Sequence, residues 1–82
     1  MEVRFIKRAL KQLKKLPAPE QKKVAKKILL LESNSLIGKK LEGELTGSYT
    51  LRAWPYRIIY IIDSGEQVVK VTSILHRQGA YQ

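Results

Sequence analysis

The chain has 82 residues, no cysteine, and sixteen Lys and Arg against seven Asp and Glu, a formal charge of +9. A length of this order holds one domain, taken as residues 1–82, with a modest core. Lack of Cys excludes disulfides and thiolate metal sites, and no apolar run is long enough to cross a bilayer. The opening MEVRFIKRAL lacks the long apolar core of a secretory signal, so the expected location is the cytoplasm.

Val3 and Phe5 alternate in EVRFI, which predicts a short first strand. In KRALKQLKKL the positions Ile6, Ala9, Leu10, Leu13 and Leu16 recur at helical spacing with lysines between them. The PAP stretch at 17–19 ends that helix, and Pro19 suits the start of the next. EQKKVAKKILLLE predicts the second helix, with Val24, Ala25, Ile28 and Leu31 on one side and Lys22, Lys23, Lys26 and Lys27 on the other. Two amphipathic helices with a short link predict an αα-hairpin. SNSLIGKKLEGELTGS is turn chemistry, a loop pinned to the body by Leu36, Ile37, Leu41 and Leu45. YTLRAW and YRIIYII read as a hairpin around Pro55, and VVKVTSIL as the last strand after the DSGEQ turn. The expected fold is α+β in the order β-α-α-β-β-β. Its small, mainly antiparallel sheet is covered on one face by the helix pair.

Charge is unevenly spread. Residues 1–31 hold ten of the bases and two acids, Glu2 and Glu20. The remaining six bases, Lys39, Lys40, Arg52, Arg57, Lys70 and Arg77, face five acids. The first part supplies a broad field suited to phosphate-rich partners or an acidic protein; the second places individual cations. Arg52 and Arg57 flank the Trp54-Pro55-Tyr56 corner, and Arg77 follows the last strand. If the last two strands pair in the right register, three guanidinium groups converge. Each is permanently charged and shaped for phosphate.

KKLEGELTGSYTLRAWPYRIIYIID followed by ILHRQGAY resembles the RelE/ParE toxin superfamily. The L-x-G, Y-x-L-R, Y-R-I-I-Y and H-R-x-x-x-Y segments carry the likeness, in order and over nearly the whole chain. The resemblance implies a toxin of a type II toxin–antitoxin pair. In its RelE branch, the toxin cuts mRNA in the ribosomal A site by 2′-hydroxyl attack, without metal or cofactor. It implies as partners a cognate antitoxin, mRNA and ribosomal RNA. By the same carry-over Arg57 grips the scissile phosphate and Arg77 stabilises phosphate or protonates the leaving group. Tyr81 stacks on or orients a nucleotide, and Arg52 stands where a lysine stabilises charge or lifts the base.

The chain departs from the family pattern at two places. Thr50 and Arg52 replace a lysine pair, and Trp54-Pro55 replaces a Gly-Asp-like corner. Threonine is no base and arginine a poor one, which makes His76 a further candidate, since imidazole titrates near neutrality. Two other functions stay open. One is a ParE-like toxin that inhibits DNA gyrase by binding; the other is a passive basic RNA-binding module. Arg52 and Arg57 have a structural reading too, as cations paired with Glu42, Glu44 or Asp63.

Overall fold

The computed structural model describes residues 1–77. The helices and strands follow the expected order with one added strand, β2, and a short 3-10 turn at Gly43–Leu45: β1 (Glu2–Phe5), α1 (Lys7–Lys14), α2 (Ala18–Ser33), β2 (Lys39–Lys40), β3 (Ser48–Ala53), β4 (Tyr56–Asp63) and β5 (Val68–His76). They make the α+β architecture that the periodicity predicts. β3, β4 and β5 form an antiparallel meander, β1 lies parallel to β5, and β2 closes the far edge in the order β1-β5-β4-β3-β2. β2 falls in the stretch expected as loop. Its two residues pair Lys39 with Thr50 and Lys40 with Tyr49, and the Leu41 N–H extends the contact to the Ser48 carbonyl at 2.9 Å.

The helices cover one sheet face. Ala9 of α1 and Val24, Ile28 and Leu31 of α2 are buried against Leu51, Ala53, Ile58, Tyr60, Val69, Val71 and Ile74. Val3 and Phe5 pack on the same cluster, as the alternation in β1 predicts. Each fully buried aliphatic side chain contributes about 1.5–3 kcal/mol. Ala25, expected on the buried side of α2, is exposed. The helix meets the sheet along a narrower stripe at i, i+4 and i+7, so a residue one step round the helix already faces water.

Strand β1 stops short of the end of β5. The Ile6 N–H bonds the Val71 carbonyl at 3.1 Å, and α1 then takes over the exposed strand edge. Arg8 donates to the Thr72 carbonyl at 3.2 and 3.3 Å and to the Ser73 hydroxyl at 3.1 Å, while the Ile74 N–H donates to Gln12 Oε1 at 2.7 Å. Side chains of α1 thus serve the backbone groups that a further strand would otherwise pair.

One irregularity in β5 sets the side from which its last residues project. Pairing with β4 shifts between Ile59↔Ser73 and Tyr60↔Val71, which leaves Thr72 as an extra residue whose hydroxyl donates to the Ile59 carbonyl at 3.2 Å. This β-bulge reverses the alternation. Val69 and Val71 face the helices before it, and Ile74 does so after it.

The 34–47 loop is held differently from the expectation. Leu36, Ile37 and Leu45 are 66%, 41% and 45% exposed and pin nothing. The clasp is polar: the buried Tyr60 hydroxyl accepts the Gly38 N–H at 2.9 Å and donates to the Ser35 carbonyl at 2.9 Å. Burial pushes the Tyr60 phenol above its usual range, against the Gly38 N–H, which pulls it down. It therefore stays a neutral donor. The close approach demands a glycine, because a Cβ at position 38 would collide with the Tyr60 hydroxyl and lie 2.8 Å from the Thr50 carbonyl oxygen. Gly38→Ala is expected to cost about 1–3 kcal/mol through overpacking. Tyr60→Phe is expected to cost about 1–3 kcal/mol through two orphaned backbone groups. Urea denaturation of both variants measures these losses.

Candidate functional site

Strand pairing decides which cations meet. In the β3–β4 hairpin Arg52 lies directly opposite Arg57, and in the β4–β5 pair Arg57 lies opposite Leu75. All three share the face turned from the helices, since Leu51, Ala53, Ile58 and Ile74 occupy the other. Arg77 stands two residues past Leu75, after the bulge, and its N–H continues the ladder to the Pro55 carbonyl at 2.8 Å. It is therefore a diagonal neighbour of Arg57, a relation of roughly 7–8 Å that long side chains bridge. Arg52, Arg57 and Arg77 gather at one end of one face, as the sequence required if the register cooperated.

The other candidates are placed differently. His76 pairs across the sheet with Tyr56, and their rings meet edge to face at 5.5 Å and 88°. One step along each strand from Leu75 and Arg57, this pair belongs to the helix-covered face, so the register does not bring His76 onto the arginine face. Tyr81 lies outside the described residues. Thr50 is on the arginine face but is 7% exposed, and its hydroxyl has no hydrogen-bond partner among the described residues. Ile59, its cross-strand partner, is buried as well. The face is thus buried behind the arginine pair at Thr50 and Ile59.

Three acids collect at the opposite end of the sheet, while Glu20 pairs with Lys23 at 3.3 Å beside the Trp54 corner. Lys70 pairs with Asp63 and Glu66 at 3.3 Å each, and Arg4 pairs with Glu2 at 2.7 Å and Glu66 at 3.2 Å. Asp63 is thereby engaged away from the arginines, contrary to one structural reading of the sequence. Among the described residues Arg52 has no ion-pair partner. Charge segregation leaves the β3–β4 corner cationic.

Two contributors escaped sequence reasoning. Arg8 reaches from α1 to Ser73, on the arginine face, and with Lys7, Lys11, Gln12 and Lys15 it lines an open groove of about 570 Å³. The spacing 7, 8, 11, 15 was legible as a helical stripe, but its adjacency to β5 was not. Lys23 of α2 donates to the Trp54 carbonyl at 3.1 Å and ties the corner to the helix. Among the described residues no group of three or more His, Asp or Glu side chains is placed to hold a metal ion, and no helix is long and apolar enough to cross a membrane.

A family model described as the ParE toxin of type II toxin–antitoxin systems, parDE, matches residues 3–81. The chain therefore belongs to the RelE/ParE toxin superfamily. The Toxin RelE of Mycobacterium tuberculosis is 34% identical over 53 residues, taking in 65% of this chain and 55% of that protein; the chain thus spans about half the length of that relative. RelE1 of Methanocaldococcus jannaschii is 32% identical over 84 residues, covering 98% of this chain and 93% of that protein. The crystal structure of the RelBE2 toxin–antitoxin complex from M. tuberculosis superposes with a TM-score of 0.84 and 33% identity, over 93% of this chain and 96% of that one.

Two predictions test this charge layout. Like charges directly opposite on a sheet destabilise it, so Arg52→Gln is expected to stabilise the fold by about 0.5 kcal/mol, a few degrees in thermal midpoint. A fall in stability would show that the pair is structural. Separately, the Glu66 backbone N–H and then Lys70 hold the Asp63 carboxyl below the usual carboxylate range. Its contribution is complete above the ordinary carboxylate value and is lost as pH falls through the lowered one. Thermal melts across that acid range are expected to show a shallower decline for Asp63→Asn than for the parent chain.

Proposed function

We propose that this chain is a ribosome-dependent endoribonuclease of the RelE kind, which cuts mRNA by attack of a 2′-hydroxyl on the neighbouring phosphodiester. The observation that carries this reading is the strand register that sets Arg57 opposite Arg52, with Arg77 diagonal to it. A phosphorane gathers negative charge on its non-bridging oxygens, and preorganised cations aimed at them stabilise it more than the ground state. Arg57 holds the scissile phosphate, Arg52 shares the developing charge, and Arg77 supports the phosphate or the departing 5′-oxygen. Tyr81 orients a nucleotide. His76, the base candidate from the sequence, lies on the helix-covered side of β5, away from the phosphate that the arginines would hold, so the reading assigns no base to the 2′-hydroxyl among these residues. The groove along Lys7, Arg8, Lys11 and Lys15 suits ribosomal RNA through counterion release, and binding of this kind weakens steeply with salt.

The relative solved from M. tuberculosis is a toxin–antitoxin complex, and we assign this chain a cognate antitoxin as its partner. An acidic protein matches its +9 charge. The exposed Leu29, Leu30, Leu36 and Ile37 offer it apolar surface. Action on ribosomes places the chain in the cytoplasm.

A second reading has its own support. The matching family model is that of a ParE toxin, and the buried Thr50 supplies no base where the resemblance would have a lysine. A ParE-like chain would inhibit gyrase by binding alone. The test translates a defined message with the chain present and maps new 5′ ends. Cleavage in the A site is expected, reduced about 10²-fold or more by Arg57→Ala and abolished when Arg77→Ala is added. Intact message together with inhibited DNA supercoiling would transfer the assignment to gyrase.

A further inference from the structure

The Trp54-Pro55 corner has a role that neither the basic field nor the strand arginines account for. Arg77 lies just past the end of β5, with its N–H on the Pro55 carbonyl at 2.8 Å. Its guanidinium carbon sits 4.8 Å from the centroid of the Trp54 ring. Trp54 is itself 54% exposed, and its carbonyl is braced from α2 by Lys23 at 3.1 Å. The same corner residue therefore has its backbone fixed to a helix and its ring against a cation.

We propose that Trp54 is the positioning residue for Arg77. An arginine at the end of a strand has many rotamers and loses considerable entropy when it is held in one. A carboxylate could hold it, but would occupy the N–H donors and cancel the charge. The face of an indole attracts the cation through the ring quadrupole and leaves its N–H donors unspent. Trp54 thus fixes the direction of Arg77 and preserves its full capacity for a phosphate.

The catalytic half of this inference rests on the ribonuclease reading; the geometric half does not, and the experiment separates them. Side-chain NMR of the purified chain should show the Arg77 δ and ε protons shifted upfield by the ring. That shift should vanish in Trp54→Leu and persist in Trp54→Phe, with thermal midpoints unchanged. On ribosomes programmed with a defined message, Trp54→Leu should lower the saturated cleavage rate about two- to fivefold. Trp54→Phe should restore it, and Trp54→Leu should add nothing in an Arg77→Ala background. An unshifted Arg77 in the parent chain overturns the proposal. So does a Trp54→Leu loss that persists without Arg77, which would assign the ring to stacking on a nucleobase instead. If the parent chain cleaves no message, the ribonuclease reading falls, and the NMR shift alone decides whether Trp54 orients Arg77.

Discussion

Side chains alternate along a strand, and in this protein that rule governs everything else. Burying Leu51, Ala53, Ile58 and Tyr60 beneath two helices obliges Arg52 and Arg57 to point the other way. A slip of one residue in either strand would turn its arginine toward the helices and its core residues toward water, so the register is fixed by hydrophobic burial. The fold tolerates the repulsion between two directly opposed cations because the apolar gain on the other face is many times larger. The placement of the two arginines is thus maintained by packing on the opposite face.

The distribution of acids completes the device. Glu2, Asp63 and Glu66 are drawn to Arg4 and Lys70 at the β4–β5 end of the sheet. The β3–β4 end gathers Arg52, Arg57 and Arg77 around one turn, beside the Lys23–Glu20 pair of α2. A net charge of +9 would be a diffuse field if its counter-charges were spread evenly. Segregation makes it directional, and α1 extends it to the groove beside β5 through Arg8. The same helix closes the exposed strand edge with Arg8 and Gln12, so one element serves both the fold and the charged surface.

Relation to the RelE/ParE superfamily lies in the framework, and the departures lie at the corner. Thr50 is buried, and its hydroxyl has no hydrogen-bond partner among the described residues. The corner instead carries a large aromatic ring in contact with an arginine. The tertiary structure offers a physical use for that substitution: the indole orients a cation in place of a small turn that could not.

Local patterns in the sequence determined the helices, the three-strand meander and which residues within each strand share a face, whereas the faces of Arg52 and Arg57 relative to each other waited on the hairpin register. Periods of 3.6 and 2 are imposed by apolar burial over short ranges. Motif likeness in Y-R-I-I-Y and H-R-x-x-x-Y was likewise visible in the chain. Three things belonged to the tertiary structure. The Thr72 bulge reverses alternation in β5 and brings Arg77 to the side of Arg57; simple counting from Val69 and Val71 would have sent it beneath the helices. The Tyr60 clasp on Gly38 holds a loop whose leucines looked like the anchors. The Arg77–Trp54 contact joins a strand end to a turn more than twenty residues earlier. Each depends on the meeting of residues distant in sequence, a relation set by the strand register and its one irregularity, and periodicity along a single segment carries no information about either.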